Sequence, residues 1–235
     1  MIKQSLNIDQ LETYCLSLLG TYLPDGYTPN YAIRPLLKLT LERVSFCFNH
    51  INLKYYREGD AITFNHLNSD HFATFLYMLS NTAWIETQDI ELPSRLFYLN
   101  KIMHGIDLFY SVKMPDIFLL VHPVGTVLGN AKYNDYLVVY QNVTVGANEA
   151  GIYPSFGVGT VLYAKSTVIG ECKLGRDVIV AANTFMINSD APDNTLIVGQ
   201  YPSCRLIPSS MSVTQRIFNR GIESSNIQKH WLRKL

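Results

Sequence analysis

Between residues 156 and 186 the chain repeats itself every six residues. It divides as FGVGTV, LYAKST, VIGECK, LGRDVI and VAANTF, followed by Met186. The first position of each block is Phe156, Leu162, Val168, Leu174, Val180 and then Met186, apolar every time. The fifth is Thr160, Ser166, Cys172, Val178 or Thr184, always small or β-branched. A period of six suits neither a helix nor an alternating strand. It suits a chain that makes a short strand and a corner three times per coil, with each coil stacked on the last. The repeated apolar position then points inward, and several coils must stack before a core is buried. An earlier set, YNDYLV and VYQNVT, precedes Val145-Gly146, and Leu128-Gly129 stands one residue out of phase before it. Residues 147–155 break the phase and read as a loop extruded from one corner, where scaffolds tend to carry binding groups.

The first hundred residues are written differently. Apolar residues at Ile8, Leu11, Cys15, Leu18 and Leu19 have helical spacing. Asn7 and Gln10 form a capping box in front of them, and Gly20 marks the expected end. Further helices are expected over 31–53, with Pro35 opening the regular part, over 69–85 with Ser69 or Asp70 as cap, and over 93–103, ending at Gly105. The expected class is therefore α+β: a helical N-terminal domain (1–105), a parallel β-helix domain of hexapeptide repeats (106–208), and a short helical tail (209–235). Lys+Arg and Asp+Glu are 19 each, and this balance gives no reason for the chain to bind nucleic acid or an anionic membrane. Charged residues are only 16 %, which suggests surface buried between subunits. Cys15, Cys47, Cys172 and Cys204 lack disulfide or metal-ligand spacing and read as free thiols of a cytoplasmic protein. No apolar run reaches the ~20 residues of a membrane helix, and the first residues lack the core of a signal peptide.

Five segments carry a family resemblance: His122-Pro-Val-Gly-Thr-Val-Leu-Gly, Gln141-Asn-Val-Thr-Val-Gly, Tyr153-Pro, Val168-Ile-Gly-Glu-Cys-Lys-Leu-Gly-Arg, and Val198-Gly-Gln-Tyr-Pro-Ser-Cys-Arg. Together they resemble the hexapeptide-repeat acyltransferases with a left-handed parallel β-helix, most closely the serine acetyltransferases. The resemblance is specific over about Asp107 to Leu206 and only a shared helical character before that. It implies an acetyl-CoA-dependent O-acetyltransferase acting by direct attack, with no metal and no acyl-enzyme. His122 takes the place of the general base, and Asp107, a little less than one coil earlier, that of its carboxylate partner. With three six-residue sides to a coil, such a spacing places the two on neighbouring turns; Asp116, one side away, is the competing carboxylate. The resemblance further implies CoA contacts at Ala164 and Ala182, CoA phosphates near Arg205, and a homotrimer or a pair of trimers.

The pair suits the chemistry. An alcohol is a weak nucleophile at pH 7, and an imidazole can take its proton as attack begins. A carboxylate on the other ring nitrogen fixes the tautomer and stabilises the imidazolium. His50, His66, His71, His104 and His230 read as packing or surface residues.

Two departures bear on the acceptor. Serine acetyltransferases carry an Asp just before the catalytic His, where this chain has Val121. They carry a basic residue and a second His before a Pro, where it has Ile152-Tyr153-Pro154. A zwitterionic amino acid needs ionic partners once desolvated. The expected acceptor is therefore an uncharged hydroxyl, a sugar or a surface-polysaccharide precursor, with Tyr153 against it. L-serine is the alternative acceptor, and a non-catalytic trimeric scaffold the second alternative.

Overall fold

The computed structural model describes residues 2–218. Four helices come first: α1 (Ile8–Tyr22), α2 (Arg34–Asn49), α3 (Ser69–Thr87) and α4 (Glu91–His104). Asn7 and Gln10 form the expected capping box on α1, with reciprocal bonds of 3.0 Å. The helix continues past Gly20 to Tyr22, because a single exposed glycine lowers helix propensity without ending a helix already anchored by Leu11, Cys15 and Leu19. The cap of α3 is Asn68, whose side chain accepts the N–H groups of Asp70 and His71, so Ser69 and Asp70 lie inside the first turn. Gly105 ends α4 at φ +64°, a left-handed position that glycine adopts without penalty. A small sheet absent from the sequence reading, β1 (Lys3–Gln4), β2 (Arg57–Glu58) and β3 (Ala61–Phe64), ties the N-terminus to the segment before α3.

From Asp107 onward the chain coils into a left-handed parallel β-helix with three faces. One face stacks β4 (Phe118–Leu120), β6 (Leu137–Val139), β9 (Val161–Leu162), β12 (Ile179–Val180) and β14 (Thr195–Val198), all parallel. The second stacks β5 (Val127–Leu128), β7 (Thr144–Gly146), β10 (Thr167–Ile169) and β13 (Phe185–Ile187). The third contains β8 (Ser155–Phe156) and β11 (Lys173–Leu174). The predicted inward positions Leu162, Val168, Leu174 and Val180 are all buried, and so are the fifth positions Thr160, Ser166, Cys172, Val178 and Thr184. In register they form columns such as Val139–Leu162–Val180–Ile197, so each coil covers the apolar face of the one before it. A last strand, β15 (Arg205–Pro208), turns back antiparallel along β14.

One apolar core runs through both regions. Cys47 of α2 donates its thiol to the Phe118 carbonyl (3.1 Å), and Tyr77 of α3 donates to the Val112 carbonyl (2.6 Å). The helices thus close one end of the coil stack. The short α5 (Val213–Ile217) returns to the helical region, where Phe218 bridges to Ile51 and packs on Tyr136. The expected tail beyond 218, including His230, lies outside the described residues.

Candidate active site

The corner between β4 and β5 carries His122. In the other coils this corner is shorter: residues 140–143, 163–166 and 181–184 connect the same two faces, whereas residues 121–126 do so here. The two extra residues push His122 out of the prism. Its side chain is 75 % exposed, and its backbone takes φ +48°, a conformation that L-residues adopt at an energetic cost. Two main-chain bonds hold it there: Val124 N–H donates to the His122 carbonyl (2.7 Å), and His122 N–H donates to Oδ1 of Asp70 (3.0 Å).

Asp70 also faces the ring, with Oδ2 3.8 Å from Nδ1 of His122. That leaves Nε2 as the nitrogen turned toward an incoming acceptor. Asp70 is largely buried, and burial raises its pKa above the usual carboxylate value; the nearby His122 pulls it back down. The sequence offers this residue only as a possible helix cap. It stands far upstream of His122, on a different kind of element, and no local pattern links the two.

The structure places Asp107 elsewhere. Its main chain pairs with Val127, five residues beyond His122, because the spacing of Asp107 and His122 is shorter than a full coil and the enlarged corner lengthens this coil further. Its carboxylate is held by the Lys101 ammonium at 2.5 Å. The spacing therefore sets Asp107 on a neighbouring coil without setting it on the imidazole. Asp116, the competing carboxylate, lies with Asp135 and Arg43 on the wall of a separate cavity of about 590 Å³ between the helices and the first coils.

Ala164 and Ala182 occupy the same corner as His122 on later coils, between β9 and β10 and between β12 and β13. Ala164 is half-buried and Ala182 exposed. Gln141 stands in this corner between β6 and β7, and its buried side-chain carbonyl oxygen has no hydrogen-bond partner among the described residues. A row of small residues beginning at an exposed imidazole, with an unmet acceptor beside it, fits an extended ligand that offers N–H groups. Arg205 is exposed on β15, opposite Val198. Tyr153 lies with its ring against Gly129, where an added Cβ would come within 2.6 Å of the ring. That is the far end of the β5–β7 face, so one chain does not bring Tyr153 and His122 together. Among the described residues no group of His, Cys, Asp and Glu is placed to hold a metal ion.

The fold and the sequence make the chain similar to the hexapeptide-repeat acyltransferases, and within them to the serine acetyltransferases. It is 26 % identical over 121 residues to the serine acetyltransferase of Synechococcus elongatus, covering 49 % of each chain. It is 31 % identical over 99 residues to serine acetyltransferase 4 of Arabidopsis thaliana, covering 40 % of this chain and 28 % of the relative. The chain thus spans about half or less of the length of these curated relatives. The crystal structure of the Vibrio cholerae serine acetyltransferase superposes with a TM-score of 0.64 at 18 % identity, over 88 % of this chain and 83 % of that one. The soybean apoenzyme gives 0.57 at 19 %, over 83 % and 75 %. No protein-family model matches the chain. No helix among the described residues is long and apolar enough to cross a membrane.

Proposed function

We propose that this chain is an acetyl-CoA-dependent O-acetyltransferase that acetylates the hydroxyl of L-serine. The observation that carries the reading is an imidazole held out at an enlarged corner with a carboxylate on its Nδ1 side. Nε2 of His122 takes the hydroxyl proton as the oxygen attacks the thioester carbonyl. The tetrahedral intermediate collapses with loss of the CoA thiolate, and the imidazolium returns the proton to that sulfur. The products are the O-acetyl ester and free CoA. Ala164 and Ala182 line the path of the pantetheine arm, Gln141 accepts one of its amide N–H groups, and Arg205 meets the CoA phosphates.

The argument for a sugar acceptor rests on Val121, which removes a negative charge next to the base, and on Ile152-Tyr153, which stand where a basic residue and a second His would be; Asp70 answers the first of these. Asp70 restores a carboxylate within 4 Å of the imidazole, so a cationic ammonium meets a favourable potential there. The relatives that match are named as serine acetyltransferases, which favours the same acceptor. Tyr153 borders the acceptor only when a second copy brings it there, and we place the working enzyme as a cytoplasmic trimer or a pair of trimers, with 1–105 as the helical domain and 106–208 as the acetyl-transferring β-helix.

The test is thiol release from acetyl-CoA against L-serine, nucleotide sugars and oligosaccharides. Saturable turnover of L-serine supports the reading. Turnover of a sugar with none of L-serine replaces the acceptor, and no turnover of any hydroxyl compound leaves the β-helix as a scaffold.

A further inference from the structure

We propose that Asp70, a residue of the helical region, is the positioning residue of the general base, in the place that sequence spacing gives to Asp107. The inference rests on the reading of His122 as the base.

The first turn of α3 is already satisfied without the Asp70 side chain. Asn68 accepts the N–H groups of residues 70 and 71, at 3.0 and 3.3 Å. The Asp70 carboxylate is therefore free to leave the helix, and it crosses to the β-helix. One oxygen accepts the His122 main-chain N–H at 3.0 Å and so pins the corner in its left-handed conformation. The other stands 3.8 Å from Nδ1, longer than a hydrogen bond and within reach of one by a small rotation of the ring. Catalytic contacts of this kind are often loose before substrate binds. The imidazole is otherwise exposed, so this carboxylate is what fixes its rotamer and tautomer.

Asp107 instead pairs through Oδ2 with the Lys101 ammonium, and no contact between its carboxylate and the His122 ring is present. The other titratable groups around Asp70 do not compete for the ring. His71 points into the core, packed at a tilt against Phe48 and Tyr56, with Nδ1 accepting the Asn65 N–H. The Tyr56 hydroxyl is buried, and Ser69 touches the same Asp70 oxygen at 3.5 Å. One consequence is that the base is assembled from two parts of the chain: the coil supplies the imidazole and the helix supplies its anchor.

The test uses the full chain, with Asp70→Asn, Asp70→Glu and Asp107→Asn. The His122 ring is followed by ¹⁵N-histidine NMR without substrate, and acetyl transfer by thiol release across pH. In the wild type the neutral ring should carry its proton on Nδ1. Asp70→Asn should move the proton of the neutral ring from Nδ1 toward Nε2, since a carboxamide N–H can then stand beside Nδ1. It should cut kcat about tenfold or more, with the KM for acetyl-CoA unchanged. Asp70→Glu should restore the Nδ1–H tautomer, and Asp107→Asn should leave the tautomer as it is. A wild-type ring protonated on Nε2, a tautomer that follows Asp107 and not Asp70, or a rate loss in Asp70→Asn without a change of tautomer would each overturn the proposal. The wild-type tautomer decides even if Asp70→Asn fails to fold. The NMR arm also stands apart from the acceptor: absence of serine turnover would remove the function while leaving the Asp70–His122 pairing measurable.

Discussion

Acid should loosen this protein well above the pH at which its carboxylates titrate, and two buried histidines set the amount. His71 is fully buried between Phe48 and Tyr56; His104 is buried at the end of α4, with Nδ1 2.7 Å from the Asn100 side-chain oxygen. Burial holds both pKa values down at about 4, against 6.5 for an ordinary histidine. A lowered pKa means that the unfolded chain binds more protons between pH 6.5 and 4. Stability is therefore complete above about pH 6.5 and falls as pH drops through that window. At pH 5 each histidine removes about 2 kcal/mol, or about 4 kcal/mol together, from a total that is typically 5–15 kcal/mol. Asp70 works in the opposite direction, since its raised pKa makes the native state the better proton acceptor, and it trims the loss somewhat. Asp25, Asp89 and Asp193, whose pKa values are lowered from 3.8, add their own losses only below about pH 4. Urea unfolding followed by far-UV circular dichroism at pH 7 and pH 5 measures the difference directly. His71→Gln and His104→Gln should each roughly halve the pH 7-to-5 difference, whatever they do to stability at pH 7. An undiminished difference in both variants would show that these rings are not the proton acceptors.

Four further outcomes follow from the structure. Gly157→Ala drives a Cβ into the Gly175 carbonyl oxygen, a backbone atom that cannot step aside, and should destabilise by about 3 kcal/mol or more; Gly20→Ala, with nothing within 4 Å in an exposed turn of α1, should raise the Tm slightly, worth up to about 1 kcal/mol. His122→Ala should lower acetyl transfer by about 10²–10⁴-fold with the fold intact by circular dichroism, and retention of full activity would remove the base from the mechanism. Light scattering should give a mass of three chains or a multiple of three, and a monomeric mass would leave Tyr153 and His122 at opposite ends of one face with no means of meeting.

The coil was legible because its register is periodic: a residue's place in the hexapeptide says which way it points, and Leu162, Val168, Leu174 and Val180 obey. His122 was legible because it stands in a short motif. The carboxylate 3.8 Å from its ring was not. Asp107 stands less than a full coil before His122, and the enlarged corner at 121–126 lengthens that coil further, so its main chain lies beside Val127. The carboxylate that does reach the ring comes from a distant helix, through tertiary packing that leaves no periodic trace. The cap of α3 falls one residue from its expected place for a more local reason: Asn68, Ser69 and Asp70 are all good caps, and only the bonds made by Asn68 distinguish them.

A stack of parallel coils is in principle a template that any further strand can extend, and its two ends determine whether it polymerises. Here the first end lies under α2 and α3. At the other end β15 runs against the direction of every other strand on its face and presents Pro208 in its last position. An incoming parallel coil meets a strand of the wrong polarity with a donor missing. The reversed strand thus works as a terminator, keeping a sequence built from repeats at a fixed number of turns and out of fibrous assembly. Deleting it would bare the β14 edge, and the expected symptom is concentration-dependent growth of filaments, visible as thioflavin binding or by negative-stain microscopy, with the helical end unchanged.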